Sequence, residues 1–334
     1  MKIAQISDIH ININATELGK YKLDKNGENL IYKRKLFILN WCVEQAINNK
    51  VDEILLTGDI FDKSKPFPRE YMDLEATINK VKSKVKILYG NHDEMTNKGC
   101  GLEPLQSMGY KVALDYDTWD GFIYLCPWGK LDLTKVKSGI VLALHAGVKT
   151  SDYDWVEVEG ETGNVRLEDL VGLNCRAIML GHHHNQTELA PKIWYAGSVA
   201  CETFGEENDS KGMLIWDITN EETKVTQIST SHLFPEYKTF TPEEFLVIDQ
   251  APNTLMRVKG EVTEKERLDI IKKLKDFDCL DFKLDLNIKY KNKKIEKLSG
   301  TNDSDILRNY LTSKQVENVE EIIRLDKELY GDNL

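Results

Sequence analysis

Two hydrophobic periods alternate along the first hundred residues. KIAQISD (2–8), EILLTGD (53–59) and VKILYGN (85–91) are short, mostly apolar runs that close on Asp or Asn. This is the pattern of strands buried on both faces. Between them, residues 31–49 and again 68–82 place apolar side chains at helical spacing. The resulting β-α-β-α-β order predicts an α/β domain on parallel strands.

Beyond residue 110 the pattern changes. KVALD, GFIYLCPW, GIVLALHA, RAIMLGHH, KIWYAG, KGMLIWDI and KVTQIST follow one another with short polar connections. They predict a second, more antiparallel sheet packed on the first. Residues 149–170, rich in Asp, Glu and Gly, predict a long surface excursion. Composition shifts near 235–245. LMRVKGEVT, EKERLDIIKKLKDF and DFKLDLNIKY then predict a small strand-helix-strand module, and two helices close the sequence. The expected segments are 1–235, 236–300 and 301–334.

Charge sharpens this division. The net charge of −11 argues against a nucleic-acid partner. Residues 256–298, however, carry +4, between a body of −11 and a tail of −4. Such a distribution implies different tasks along the chain. Lys289, Lys291, Lys293 and Lys294 lie in this basic stretch, where they either neutralise DNA phosphates or solvate a hairpin. The 41% hydrophobic and 30% charged content is that of a globular protein. Cys42, Cys100, Cys126, Cys175, Cys201 and Cys279 are scattered, which predicts reduced thiols rather than a zinc-thiolate site. No apolar run approaches the ~20 residues of a membrane span. The sequence opens directly in a strand-like run, so a cytoplasmic protein is expected.

The histidines carry the chemistry. Six of seven follow apolar strands: His10, His92, His145, His182, His183 and His184; His232 stands apart as a surface or core residue. They fall in the motifs Asp8-Ile9-His10, Gly90-Asn91-His92-Asp93 and Gly181-His182-His183-His184, with His145 after GIVLAL, and Gly58-Asp59-Ile60-Phe61-Asp62 completes the set. Ligand sites of α/β sheets gather at the carboxyl ends of strands, so these loops should converge. Gly58, Gly90 and Gly181 permit sharp turns there.

Hydrolysis of a phosphodiester needs a nucleophile and shielding of the phosphate charge, and a pair of divalent metals supplies both. Asp8, His10, Asp59, Asn91, His145, His182 and His184 form a mixed nitrogen and oxygen donor set suited to borderline metals. His92 is then free to face the substrate, with Asp62 or Asp93 orienting its ring. His183 should face away from its neighbours. Asp93 caps a turn or orients His92; Ser198 shapes a turn or meets substrate. Trp119, Trp128, Trp155 and Trp194 are expected mainly in the core, with Trp155 at the border of a groove as the alternative.

The ordered motifs resemble the calcineurin-like metallophosphoesterase superfamily. Within it, the sequence is similar to the SbcD-type repair and recombination nucleases in their short T-even-phage-type form. The resemblance implies a four-layer α-β-β-α sandwich with a small α/β DNA-capping domain (236–300) and C-terminal helices (301–334). It implies two divalent ions, foremost Mn2+ and otherwise Mg2+, Fe2+ or Zn2+. Asp8, His10, Asp59 and His184 would hold one; Asp59, Asn91, His145 and His182 the other. His92 would be the catalytic histidine, oriented by Asp62, and a bridging hydroxide the nucleophile. The implied activity is DNA exonuclease, accompanied by single-strand endonuclease. The implied partners are DNA, an SbcC-type coiled-coil ATPase docked on the C-terminal helices, and a second copy of the chain, in the cytoplasm or the host cytoplasm of a phage. One departure is the run Ile11-Asn12-Ile13-Asn14 after His10, where the family often has an early glycine.

The competing reading on the same fold is a phosphatase or cyclic-nucleotide phosphodiesterase. Protein phosphatases of the superfamily usually carry Arg and Glu where Lys63 and Asp93 stand here. A non-catalytic DNA-tethering subunit is the other alternative, disfavoured because every ligand position is filled.

Overall fold

The computed structural model describes residues 1–15, 27–95, 99–119, 121–150, 164–289, 303–313 and 318–330. The chain runs β1 (Lys2–Ile6), α1 (Leu30–Asn48), β2 (Glu53–Thr57), α2 (Pro68–Ile78), β3 (Val85–Leu88), α3 (Glu103–Ser107), β4 (Lys111–Ala113), β5 (Asp117–Trp119), β6 (Ile123–Cys126), β7 (Val141–His145), β8 (Gly147–Lys149) and β9 (Asn164–Arg166). It continues through α4 (Leu167–Val171), β10 (Ala177–Gly181), β11 (Thr187–Ala190), β12 (Ile193–Tyr195), β13 (Gly212–Ile218), β14 (Thr223–Ser229), β15 (Glu236–Phe240), α5 (Pro242–Val247), β16 (Thr254–Val262), α6 (Glu264–Leu274), β17 (Asp281–Ile288), α7 (Asp303–Ser313) and α8 (Val319–Tyr330).

Two six-stranded sheets form the centre, ordered β14-β13-β1-β2-β3-β4 and β11-β12-β10-β7-β6-β5. Period-2 alternation assigns each strand's side chains to a layer. Ile3, Leu55, Leu88, Val141, Ala143, Met179 and Trp216 fill the space between the sheets. Ala4, Ile6, Ile54, Leu56 and Ile87 face the opposite way, against Ile38 and Leu39 of α1, Leu74 of α2 and Leu105 of α3. Leu142, Leu144, Ile178 and Leu180 meet Leu170 of α4 on the far side of the second sheet. The expected α-β-β-α layering is the observed one. Gln5 links the sheets: its amide donates to the Leu180 carbonyl (2.9 Å) and its oxygen accepts from the Trp216 indole (3.0 Å).

The second sheet departs from expectation. β6, β7, β10 and β12 run parallel, and only the edge strands β5 and β11 are antiparallel. The reason is visible in the burial. All residues of β6, β7 and β10 are buried, as parallel strands covered on both faces must be. Three runs expected in that sheet belong to the first. KVALD supplies β4, parallel to β3, while KGMLIWDI and KVTQIST supply β13 and β14, antiparallel partners that extend the sheet beside β1. The helix expected over 68–82 ends at Ile78 and continues as a 3-10 turn over Asn79–Lys84.

Beyond these layers, β15, β16 and β17 form a three-stranded sheet with α5 and α6 in the same stretch of chain. The chain divides into two units: Met1–Gly260 with Asp269–Leu286, and Glu261–Leu268 with Asn287–Leu334. In the second, Arg308 of α7 pairs with both carboxylate oxygens of Glu320 in α8 (2.8 and 3.0 Å). Among the described residues, no helix is long and apolar enough to cross a membrane.

Candidate metal centre

Five strands of the two sheets end side by side. Asp8 follows β1, Asp59 follows β2 and Asn91 follows β3; His145 ends β7, and His182 follows β10. Parallel register aligns these ends, pairing Gly181 with His145 across β10 and β7. Three groups of side chains have ligating atoms within 4.8 Å of one another: Asp8, His10 and His184; His10, Asp59 and His92; Asp59, His145 and His182. The backbone is bent to achieve this. Asp8 (φ 49°), His10 (49°), Asp59 (48°) and His182 (109°) all have positive φ. Such conformations cost roughly 1–3 kcal/mol each and persist only where the surroundings enforce them.

Asp59 stands in the middle. Its Oδ1 accepts the His92 amide (2.9 Å). Its Oδ2 lies 3.8 Å from His10 Nε2 and 3.4 Å from His145 Nε2, between the two groups. Burial pushes this carboxyl up, yet the His145 charge, helped by His10 and His92, holds it well below the usual carboxylate range. Two glycines make room. A Cβ on Gly90 would overlap Asp59 Oδ1, and one on Gly58, at φ 96°, would overlap the His145 ring.

On one side of Asp59, His10 Nε2 faces His184 Nε2 at 3.1 Å. The other nitrogen of His184 donates to Glu206 (3.1 Å), which fixes the tautomer and leaves Nε2 with a bare lone pair. Burial pushes the Glu206 carboxyl up; the His184 hydrogen bond and the Lys211 charge bring it down to about 2, so it accepts as a carboxylate. Asp8 is fully buried and accepts the His182 amide on both oxygens (3.1 and 3.2 Å).

On the other side, His145 Nδ1 donates to the Thr57 carbonyl (2.8 Å), which turns Nε2 towards the centre. That nitrogen meets Asn91 Oδ1 at 3.1 Å, and His182 Nδ1 meets the same oxygen at 3.0 Å. Trp128 walls this side, its ring 5.0 Å from that of His182 and 5.9 Å from that of His145. Lone pairs of nitrogen and oxygen aimed at one another repel unless a proton or a cation lies among them. Four imidazoles, with the far nitrogens of His145 and His184 already engaged, two carboxylates and an amide oxygen are a donor set that fits two divalent ions.

At the mouth, His92 and Asp62 are about 40% exposed on their side chains, unlike the buried Asp8, His10, Asp59 and His145. Asp62 Oδ1 lies 3.5 Å from Nδ1 of His92 and 3.5 Å from Nδ1 of His10, so one carboxylate serves both rings. Asn12 donates to its second oxygen (2.8 Å). The Asp62 interaction lifts His92 to about 9 against the opposing effect of burial. Between the two orienting candidates, Asp62 is the one beside His92. Asp93 is buried and accepts the Ile60, Phe61 and Gly90 amides (3.1, 3.0 and 3.0 Å), which locks the Asp59 loop onto the Asn91 loop.

Other candidates fall elsewhere. His183 packs on Tyr195 (ring centroids 5.4 Å) and joins none of the three groups. Ser198 is fully buried and donates to the Ala200 carbonyl, so it shapes a turn. His232 is exposed and lies edge-on to Trp41. Lys289 is exposed and pairs with Glu261 (3.1 Å). Lys291, Lys293, Lys294 and Trp155 lie outside the described residues. Asn12, Trp128 and Glu206 were missed by sequence reasoning. Asn12 lies in the run that replaces the family's early glycine. Trp128 is in the core as expected, though its place beside the imidazoles had no signal, and Glu206, 22 residues after His184, carries no local signal either.

The calcineurin-like phosphoesterase family matches residues 1–232, and the chain belongs to that family. It is therefore a metal-dependent phosphoesterase. Among curated proteins it is similar to DNA double-strand break repair protein Mre11 of Thermoplasma acidophilum, 24% identical over 229 residues, 59% of each chain. It is also similar to the SbcD component of the nuclease SbcCD of Staphylococcus epidermidis, 26% identical over 264 residues, 66% of this chain and 67% of that protein. The chain thus spans about three fifths to two thirds of the length of these relatives. A solved dimetal phosphatase from Danio rerio overlaps 68% of this chain and 99% of its own at 12% identity and a TM-score of 0.43, too weak a likeness to bear on the reaction.

Proposed function

We propose that the protein is a DNA nuclease of the SbcD and Mre11 type, hydrolysing phosphodiester bonds at a two-metal centre. The observation that carries this reading is the position of Asp59, whose Oδ2 lies between His10 Nε2 and His145 Nε2. A carboxylate so placed suits a pair of cations rather than one. Asp8, His10, Asp59 and His184 would hold one ion, and Asp59, Asn91, His145 and His182 the other. When bound, such ions acidify a water and shield phosphoryl oxygens. Mn2+ as the ion and exonuclease activity are part of the same proposal.

The chain's own residues perform the remaining tasks. His92, exposed at the mouth and kept protonated at neutral pH by Asp62, stabilises charge on the phosphate and donates a proton to the leaving oxygen. Asp62 and Asn12 hold that ring in place. Asp93 keeps the Asp59 and Asn91 loops in register.

Two considerations favour DNA over a small phosphoester. The curated relatives bear nuclease and DNA-repair names. The sequence also continues past residue 232 with a module and helices that a small-molecule phosphatase does not need. On this reading, 1–235 is the nuclease domain, 236–300 caps DNA with Lys289, Lys291, Lys293 and Lys294 as contacts, and 301–334 docks an SbcC-type ATPase in a dimeric complex.

The test is incubation with end-labelled single- and double-stranded DNA, bis-p-nitrophenyl phosphate and p-nitrophenyl phosphate, with Mn2+ and then with chelator. Cleavage of DNA and of the diester, abolished by chelator, is expected. Cleavage of the monoester alone would turn the assignment to a phosphatase.

A further inference from the structure

We infer that Glu206 is a positioning residue for one of the two metal subsites only, acting through His184 and braced by a buried ionic network with no counterpart among the described residues on the other side. The inference rests on the two-metal reading above and deepens it.

Glu206 divides its two oxygens. Oε1 accepts from His184 Nδ1 (3.1 Å). Oε2 accepts from the Lys211 ammonium (2.7 Å) and from the Glu202 amide (3.1 Å). Lys211 is 1% exposed and also donates to the His184 carbonyl (3.0 Å) and to Asp209 (3.2 Å). His184 is therefore gripped at both its ring and its backbone. Across the same short segment, Glu202 pairs with Lys35 (2.6 Å), which is 3% exposed and donates to the His10 carbonyl (2.8 Å). Two buried lysines thus fix the carbonyls of the two histidines that face each other at 3.1 Å, and two glutamates of residues 202–206 neutralise them.

The consequence is directional. A carboxylate hydrogen-bonded to the far nitrogen of a ligating imidazole raises its basicity and fixes its tautomer, and losing it typically costs ~10–100-fold in metal affinity. On the His145 side the same task falls to the neutral Thr57 carbonyl, with the Trp128 ring alongside. Removing Glu206 should therefore weaken one ion and spare its neighbour.

The experiment is calorimetric titration of Mn2+ into the metal-free full chain as wild type, Glu206→Ala and Glu206→Gln. Electron spin resonance on the same samples distinguishes a coupled pair of ions from a single one. Wild type should bind two ions. Glu206→Ala should weaken one step by about 10–100-fold and leave the other within about threefold, with a single-ion spectrum at intermediate Mn2+. Glu206→Gln keeps an acceptor for His184 and should recover part of the loss. Equal weakening of both steps, or no change in either, overturns the positioning role while the two-metal reading stands. If Glu206→Ala does not fold, Glu206→Gln decides by the same criterion: an unaltered or evenly weakened titration overturns the role. A wild type that binds one ion or none overturns both the inference and the reading beneath it.

Discussion

The two halves of the candidate metal centre meet at Asp59 and are built by opposite means. The half around His10 and His184 rests on buried charges: Lys35, Glu202, Glu206 and Lys211. In the half around His145 and His182 the groups beside the rings are neutral: the Thr57 carbonyl, the Asn91 amide and the Trp128 ring. The difference follows from where each half sits. His145 ends β7 and is fully enclosed, so backbone carbonyls and apolar walls are at hand. His184 lies past the end of β10, beside residues 201–211, and among the described residues no strand supplies its ring with a partner. There, ionic contacts stand in for a sheet. A ligand can be held either by the regular frame or by a charge network, but the second is sensitive to single substitutions. Removing one member of a buried ion pair leaves the other uncompensated, at a cost of ~3–5 kcal/mol.

The largest effect is expected from removing what the halves share. Asp59→Ala should abolish both Mn2+ binding steps; calorimetry that still shows one intact step would mean Asp59 serves a single half. Next, His92→Ala should lower DNA cleavage by ~10²–10⁴-fold with both binding steps unchanged, the range for a lost proton donor. Undiminished cleavage would remove His92 from the reaction.

A pH series comes third. In the metal-free protein burial pushes the His145 imidazole down, but the Asp59 charge outweighs it and lifts the ring to about 9. The proton on Nε2 must leave before an ion binds. Its pKa lies above neutrality, so affinity at the His145 step should rise about tenfold per pH unit from 6.5 towards 9 and then level, with about one proton released at that step. His182, lowered to about 4 by burial, is already neutral and adds no release in that window. Affinity independent of pH across this range would contradict the assignment of Nε2 as a donor. The smallest effect expected is from Trp128→Ala. It should weaken the His145 step by about tenfold, as loss of an outer support does, and leave the His184 step alone. A matched loss at both steps would erase the distinction between the halves.

Much of this was legible in the sequence, and unevenly so. The strand-end motifs could be read because each is local: a buried run followed at once by Asp, Asn or His. Burial on both faces also foretold the parallel strands β1 to β3. The partition of later strands between sheets could not be read, because β13 joins β1 across some two hundred residues and nothing in KGMLIWDI names its partner. Asn91, His145 and His182 were visible; Glu206 and Trp128 were not, since their roles exist only once the chain is folded. Lys35 did carry a signal. It falls among Ile31, Ile38, Leu39 and Cys42 on the buried stripe of α1, and a charge on such a stripe requires a partner. That partner is Glu202, with the His10 carbonyl beside it.

On the proposed reading, Asp59 lies between two cations. Anomalous scattering from crystals soaked in Mn2+ tests it most directly. Two peaks are expected about 3.5–4 Å apart, one against Asp8, His10 and His184, the other against Asn91, His145 and His182, with Asp59 touching both. A single peak, or peaks away from these side chains, would contradict it.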